Sequence, residues 1–351
     1  MRLHILGAGA IGRVFANRMI RAGVETTLLL RPVRVEALKR SGRMTDAIVQ
    51  EKKVEVQVEN VLWKEHRLER TETTLVPFDF ADESGTDFIE TVLVLTKAND
   101  AMEALESIRP RLAEDSVVML LCNGSLALED ELARSTLSVA GAHRIFFVSG
   151  VTMQGAFRRT EEEAGHPFGA VDAGGQGCCW FGLTNEGYGY SPDAIVRYKR
   201  CLDMMNLANL KAHDETEQNA IRHRLWMKLG VNCVMNAHTS ILQVRNGLFL
   251  DAPSALDSIQ RVCTEVAKVS AFDPYCSPSL DAKELAEFII NTVNRHNHSS
   301  MNQDISARRP TEIDYINGYV VEKALAAGIE APANATLAAL VKMKEEINLI
   351  S

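Results

Sequence analysis

Leu3-His4-Ile5-Leu6-Gly7-Ala8-Gly9-Ala10-Ile11-Gly12 opens the chain, and how this stretch continues to Leu30 decides the fold. A short apolar run, Leu3–Leu6, leads into a glycine cluster. A helical pattern then runs from Ile11 to Ala22, Gly23 stops it, and a second apolar run spans Thr26–Leu30. That succession is a βαβ unit of about 30 residues. Within it, Gly7, Gly9 and Gly12 match G-x-G-x-x-G after a strand and at the opening of a helix, the context that makes the pattern a dinucleotide fingerprint. Gly7 is expected to make the tight turn, Gly9 to let backbone approach a pyrophosphate, and Gly12 to allow close helix packing. Gly7, Ala8, Gly9, Ala10, Ile11 and Gly12 are the candidate cofactor-binding turn, with N–H donors at the helix N-terminus facing the phosphates.

The next informative position lies 19 residues after Gly12. A chain selecting NAD would place Asp or Glu there to accept from the ribose 2′-OH, and this one has Arg31. A guanidinium can pair a 2′-phosphate in a charge-assisted fork, so NADPH is the expected cofactor, with Arg34 near enough to share the role.

Further apolar runs at Thr91–Thr96, Ser116–Cys122 and Arg144–Ser149, separated by helical periodicity in Ala98–Ile108 and Ala127–Ala133, read as buried parallel strands. Residues 54–80 read as an edge β region. The segment 155–190 holds nine of the 22 glycines and reads as loops with one or two strands. From Pro192 the pattern is helical, at 193–210, 215–237, 253–271, 281–295, 310–327 and 333–347, with no strand expected between. The fold class is therefore α/β: an N-terminal Rossmann-type doubly wound sheet followed by an all-α C-terminal domain. The expected division is 1–205 for the NADP(H)-binding domain and 206–351 for the helical substrate domain, with the active site expected in the cleft between them.

Composition narrows the function classes. The 351 residues, 46% apolar and 24% charged, suit a globular chain of about two domains at roughly 150 residues each. A net charge of −8 argues against a sequence-independent grip on nucleic acid and against a polybasic membrane anchor. No apolar run approaches the roughly 18 residues of a membrane span. Seven scattered cysteines without a CxxC pair offer no metal site and fit a reducing compartment. With no signal-peptide pattern before Leu3, the expected location is the cytoplasm.

Lys97 and Asn123 each follow an apolar run directly, and ligands of doubly wound sheets bind beyond the carboxyl ends of the strands. Either could instead be a turn residue, as Asn123-Gly124 shows by its composition. In the second half, Arg224–His238 is apolar nearly all round except for Lys228, Asn232 and Asn236. Their spacing of four drifts only about 80° over two turns, so an ammonium and two amides share one stripe of a buried helix. A snorkelling lysine with two locally bonded amides is the plainer alternative. Glu312 opens the helix expected after Pro310, where a carboxylate in the first turn is favoured by the dipole whatever its role. Ser299, Ser300, Asn302 and Gln303 form a polar stretch before it.

Taken together these residues resemble the ketopantoate reductase (2-dehydropantoate 2-reductase) family. The resemblance covers most of the chain. It rests on Gly7–Gly12, Lys97-Ala98, Asn123-Gly124, the block Trp226–Cys233, Asn246-Gly247, Ser299–Asp304 and the long block Pro310–Gly318. It implies an NADPH-dependent reductase of pantothenate synthesis, with Lys228 as general acid and Glu312 holding a substrate hydroxyl and helping to place the lysine. Asn232, Asn236, Asn246 and Ser300 would contact a small 2-oxo acid substrate, and Lys97 and Asn123 would sit between nicotinamide and substrate. A homodimer is left open. Departures from the pattern are Asp100 where the family often has glutamine, Gln154 where a histidine is expected, and about 50 extra residues, mostly in 40–80 and 155–190. The alternatives are a reductase of another 2-oxo acid or an imine, and an NADP(H)-binding sensor without chemistry.

Overall fold

In the computed structural model, described for residues 2–31, 54–64, 67–81, 88–135, 145–158, 171–174, 177–183, 191–216 and 220–350, the opening run forms strand β1 (Leu3–Leu6), helix α1 (Ala10–Arg21) and strand β2 (Thr26–Leu30). β1 and β2 pair in parallel, Leu3 opposite Thr26 through Leu6 opposite Leu29, as a βαβ unit requires. A long antiparallel hairpin follows, β3 (Val54–Lys64) with β4 (Arg67–Phe80). The later apolar runs form β5 (Ile89–Val94), α2 (Ala98–Ile108), β6 (Leu112–Leu120), α3 (Ser125–Arg134) and β7 (Phe146–Thr152). The parallel core has the spatial order β7-β6-β5-β1-β2-β4.

Side chains alternate across this core as strand geometry dictates. On one face Leu3, Ile5, Leu28, Leu93 and Met119 pack with Phe15, Ala16 and Met19 of α1 and with Tyr198 and Met205 of α4 (Pro192–Leu207). On the other, Leu6, Leu29, Val92, Val94 and Leu120 pack with Leu105 and Ile108 of α2 and Leu132 of α3. Both faces are covered, so stretches such as Leu28–Leu30, Val92–Val94 and Val117–Leu120 are apolar at consecutive positions. Helix α4 starts where the sequence provides a cap: Ser191 Oγ accepts from Ala194 N at 3.1 Å, with Pro192 in the first turn.

The strands β8 (Gly155–Arg158), β9 (Val171–Gly174), β10 (Cys179–Gly182) and β11 (Ala212–Asp214) complete an eleven-stranded order, β11-β10-β7-β6-β5-β1-β2-β4-β3-β9-β8. Two expectations are corrected here. The hairpin at 54–80 is not an edge, because β9 and β8 continue the sheet beyond it. The helical reading after Pro192 is interrupted by β11, a strand too short to leave a pattern, paired in parallel with β10. The order also imposes curvature. β7 and β8 are eight places apart, roughly 38 Å in a flat sheet at about 4.8 Å per strand. Yet Thr152 and Gly155 are joined by two residues, a step of at most roughly 11 Å. The sheet therefore curls round until its last strand returns beside β7, and α1, which touches β1, β2, β3, β4, β8 and β9, lies inside the curl. Arg13 and Asn17 of α1 are fully buried in consequence.

By its contacts the chain divides into two compact units, 1–122 with 129–217, and 123–128 with 218–351. The second is helical: α5 (Ala220–Leu242), α6 (Asn246–Leu250), α7 (Ala255–Ser270), α8 (Ala282–Thr292), α9 (Ser300–Ser306), α10 (Asn317–Ala326) and α11 (Pro332–Ile350). The buried carboxylate of Glu265 accepts from Ala333 N, Asn334 N and Asn334 Nδ2 at 2.7–2.9 Å, satisfying the open N–H groups at the start of α11. Asn317 Nδ2 then donates to Asn334 Oδ1 and to Cys233 O, tying α10 and α11 to the centre of α5. Among the described residues no helix is long and apolar enough to cross a membrane.

Candidate active site

The glycine turn is shaped by two contacts and one vacancy. Gly7 has φ +113°, which L side chains rarely adopt, and a Cβ there would meet the Leu95 carbonyl carbon and Thr96 N at 2.6 Å. A Cβ on Gly12 would meet Gly7 O at 1.9 Å, so helix and turn can approach only without a side chain. Gly9 is different: it is exposed, and the nearest atom to a Cβ there is Leu95 O at 4.0 Å. The chain's own packing does not demand a glycine at that position. A bound pyrophosphate does, and the first turn of α1 carries no acidic residue to repel it. Ala8, Ala10 and Ile11 line the same turn, half-buried. These residues fit a dinucleotide.

Arg31 stands exposed directly after β2, at the strand end where ribose selectivity is set in such folds. Arg34 lies outside the described residues. Lys97 is half-buried and caps α2 in extended conformation, φ −70° and ψ 153°. Gln154, the departure noted from the sequence, accepts from Arg18 Nη1 at 3.4 Å and donates to Gly177 O at 2.5 Å, so the amide bridges α1 to the segment before β10.

In the helical unit the spacing of Lys228, Asn232 and Asn236 holds on a single continuous helix, α5. Asn232 and Asn236 are buried and Lys228 is half-buried along its length. Burial pushes the Lys228 ammonium below the usual lysine range, and the charge of Glu312 pushes back in part. Glu312 does not sit in the first turn of a long helix as expected. It precedes a three-residue 3-10 turn, Ile313–Tyr315, and α10 begins only at Asn317. A surface helix-dipole role therefore does not account for it: the residue is 6% exposed, inside the unit.

Asn123, leaving β6 through a turn that Gly124 makes at φ +70°, donates from Nδ2 to Glu312 Oε2 at 3.0 Å. Its Oδ1 accepts from Asn232 Nδ2 at 3.4 Å. A carboxylate, two amides and a nearby depressed ammonium thus form one polar group in an otherwise apolar interior. Asn246 is buried at the start of α6. Its N–H donates to Asn297 O and its Nδ2 to Asn294 O, while Oδ1 has no partner among the described residues. Ser300, by contrast, is exposed as the first residue of α9. The buried serine is Ser299, whose Oγ accepts from Asn302 N and shares a hydrogen bond with Thr239 Oγ1 at 2.7 Å. Asn302, in the same polar stretch, donates to Thr239 O and Val244 O and locks α9 to the end of α5.

Two family models, described as ketopantoate reductase PanE/ApbA and its C-terminal part, match residues 3–186 and 220–345. The chain belongs to the ketopantoate reductase family. Among its relatives is 2-dehydropantoate 2-reductase of Pyrococcus abyssi, 29% identical over 349 residues and covering 99% of each chain. The enzyme of the same name from Yersinia pestis is 30% identical over 258 residues, 73% of this chain and 74% of the relative. A solved structure of D-mandelate dehydrogenase with NADH and anilino(oxo)acetate superimposes with a TM-score of 0.78 at 23% identity, covering 99% of both chains, which shows a shared fold. The α/β class with a helical C-terminal part, expected from the apolar periodicity, is what the structure has. Members of the ketopantoate reductase family are oxidoreductases acting on CH-OH and depend on a nicotinamide dinucleotide.

Proposed function

We propose that the protein reduces the 2-oxo acid ketopantoate to pantoate, a step of pantothenate biosynthesis, with NADPH as the reductant. The observation that carries this reading is the depressed ammonium of Lys228 beside the carboxylate of Glu312, bonded in turn to Asn123. Bound at the glycine turn, the cofactor supplies a hydride to the ketone carbon. The protein's task is the oxygen. Negative charge developing there is stabilised by an ammonium within hydrogen-bond reach, and Lys228 then gives the proton that completes the hydroxyl, an acid role worth about 10²–10⁴-fold. An ammonium held below the usual lysine range is a better acid near neutral pH than an exposed one.

Glu312 accepts a hydroxyl of the substrate and keeps Lys228 charged. Asn123 holds the carboxylate, Asn232 holds Asn123, and Asn236, Asn246 and Ser300 supply the remaining polar contacts to substrate. The unpartnered Asn246 Oδ1 supports such a role, since a buried acceptor is ordinarily bonded. Lys97 and Asn123 border the cofactor, and Arg31 pairs the 2′-phosphate that distinguishes NADPH from NADH. A sensor without chemistry needs no buried acid and fits these residues less well. Following NADPH absorbance with ketopantoate and a panel of other 2-oxo acids, including an aryl one, tests the reading. Turnover of ketopantoate with the highest kcat/KM is expected, and a preference for another member would reassign the substrate while leaving the chemistry.

A further inference from the structure

The end of β5 carries a hydroxyl that the polypeptide does not use. Thr96 lies two residues beyond the strand, and its Oγ1 is shielded from solvent without a hydrogen-bond partner among the described residues. Buried hydroxyls are ordinarily bonded, and valine has the same shape without the cost of stripping a polar group of water. A threonine here therefore points to a partner from outside the chain.

The surroundings narrow what that partner is. Thr96 N is one of the atoms that a Cβ on Gly7 would strike, at 2.6 Å, so the residue lies against the glycine turn. The open place over Gly9 is bordered by Leu95 O, part of the peptide that joins Leu95 to Thr96. The peptide just before it is held in the sheet, since Leu95 N donates to Leu6 O at 2.8 Å and so continues the pairing of β5 with β1. An unbonded hydroxyl thus belongs to a residue whose backbone borders the glycine turn. We propose that Thr96 Oγ1 hydrogen-bonds an oxygen of the dinucleotide held at this turn, making Thr96 a cofactor-binding residue in addition to Gly7–Gly12. The proposal rests on the cofactor reading given above.

The test compares Thr96→Val, which keeps the shape and removes the hydroxyl, with Thr96→Ser, which keeps the hydroxyl. NADPH is titrated into each protein calorimetrically without substrate, and melting temperatures are recorded without nucleotide. Thr96→Val is expected to raise Kd about tenfold while the nucleotide-free melting temperature stays the same or rises, and Thr96→Ser to bind close to the parent. Undiminished binding by Thr96→Val overturns the proposal, as does equal weakening by Val and Ser, which would assign the effect to the methyl group. If the Val protein does not fold, Thr96→Ala against Thr96→Ser makes the same comparison. A parent protein that binds neither NADPH nor NADH refutes the cofactor reading itself, a result distinct from both.

Discussion

The side-chain amide of Asn123 donates to the Glu312 carboxylate across 3.0 Å, joining residues 189 positions apart in the sequence. Hydrogen bonds to a charged group contribute about 1.5–3 kcal/mol, and Asn123 is only half-buried, so the lower end applies. Asn123→Ala is expected to lower kcat/KM about tenfold. Asn123→Asp should be worse, because it sets a second carboxylate against Glu312 and one of the two must take up a proton. Steady-state kinetics of both variants decide the matter, and an Asp variant more active than the Ala variant would contradict the placement.

The Lys228 ammonium titrates below the usual lysine range, so kcat should fall as pH rises through that depressed pKa, at lower pH than an exposed lysine would give. Glu312 raises the pKa against the effect of burial. Glu312→Gln removes that support, and the basic limb of the profile should move to still lower pH. Lys228→Met should lose about 10²-fold or more in kcat with nucleotide binding nearly unchanged. A limb that stays put in Glu312→Gln would separate the carboxylate from the lysine's titration.

Selection of NADPH over NADH is assigned to Arg31. Because the residue is exposed, solvent screens its charge and the expected effect is modest. Arg31→Ala should narrow the ratio of kcat/KM values by about tenfold, chiefly through KM for NADPH. The claim does not survive a parent enzyme with equal kcat/KM for the two cofactors.

Stability should depend on His4. Burial in β1, with the charges of Arg111 and Arg2 nearby, lowers its pKa from 6.5 to about 4. The folded state therefore holds the imidazole neutral, while the unfolded chain protonates it near 6.5. Stability is complete above that value and declines as pH falls from 6.5 toward 4, by about 3 kcal/mol at 1.36 kcal/mol per pH unit. Melting temperatures across that window should show the decline, and His4→Gln should flatten its slope.

The parts of the fold legible in the sequence were those carried by local periodicity. The run from Leu3 to Leu30 contains its strand, turn, helix and strand in order, and stretches such as Val92–Val94 and Val117–Leu120 are apolar at consecutive positions because both faces of the sheet are covered. β9 could not be read that way, since its partner β3 ended more than 100 residues earlier and nothing local encodes the pairing. The site divides similarly. Lys228, Asn232 and Asn236 stand out because polar residues break an apolar helix at a spacing of four. The bond from Asn123 to Glu312 leaves no mark near either residue. At Ser299-Ser300 the sequence offered two adjacent hydroxyls, and only the backbone's entry into α9 turns the first inward and the second out.

The return of β8 to the side of β7 also sets an order of events in the making of the protein. Helix α1 and its strand partners β1 and β2 leave the ribosome before β8 and β9, which also touch α1 and are completed only at Gly174. Until then one flank of the nascent helix has no cover. Pairings of such long sequence separation form slowly, and exposed strand edges in the interval invite association with other chains. Until β9 pairs with β3, the edge of β3 stands open to pairing with another chain.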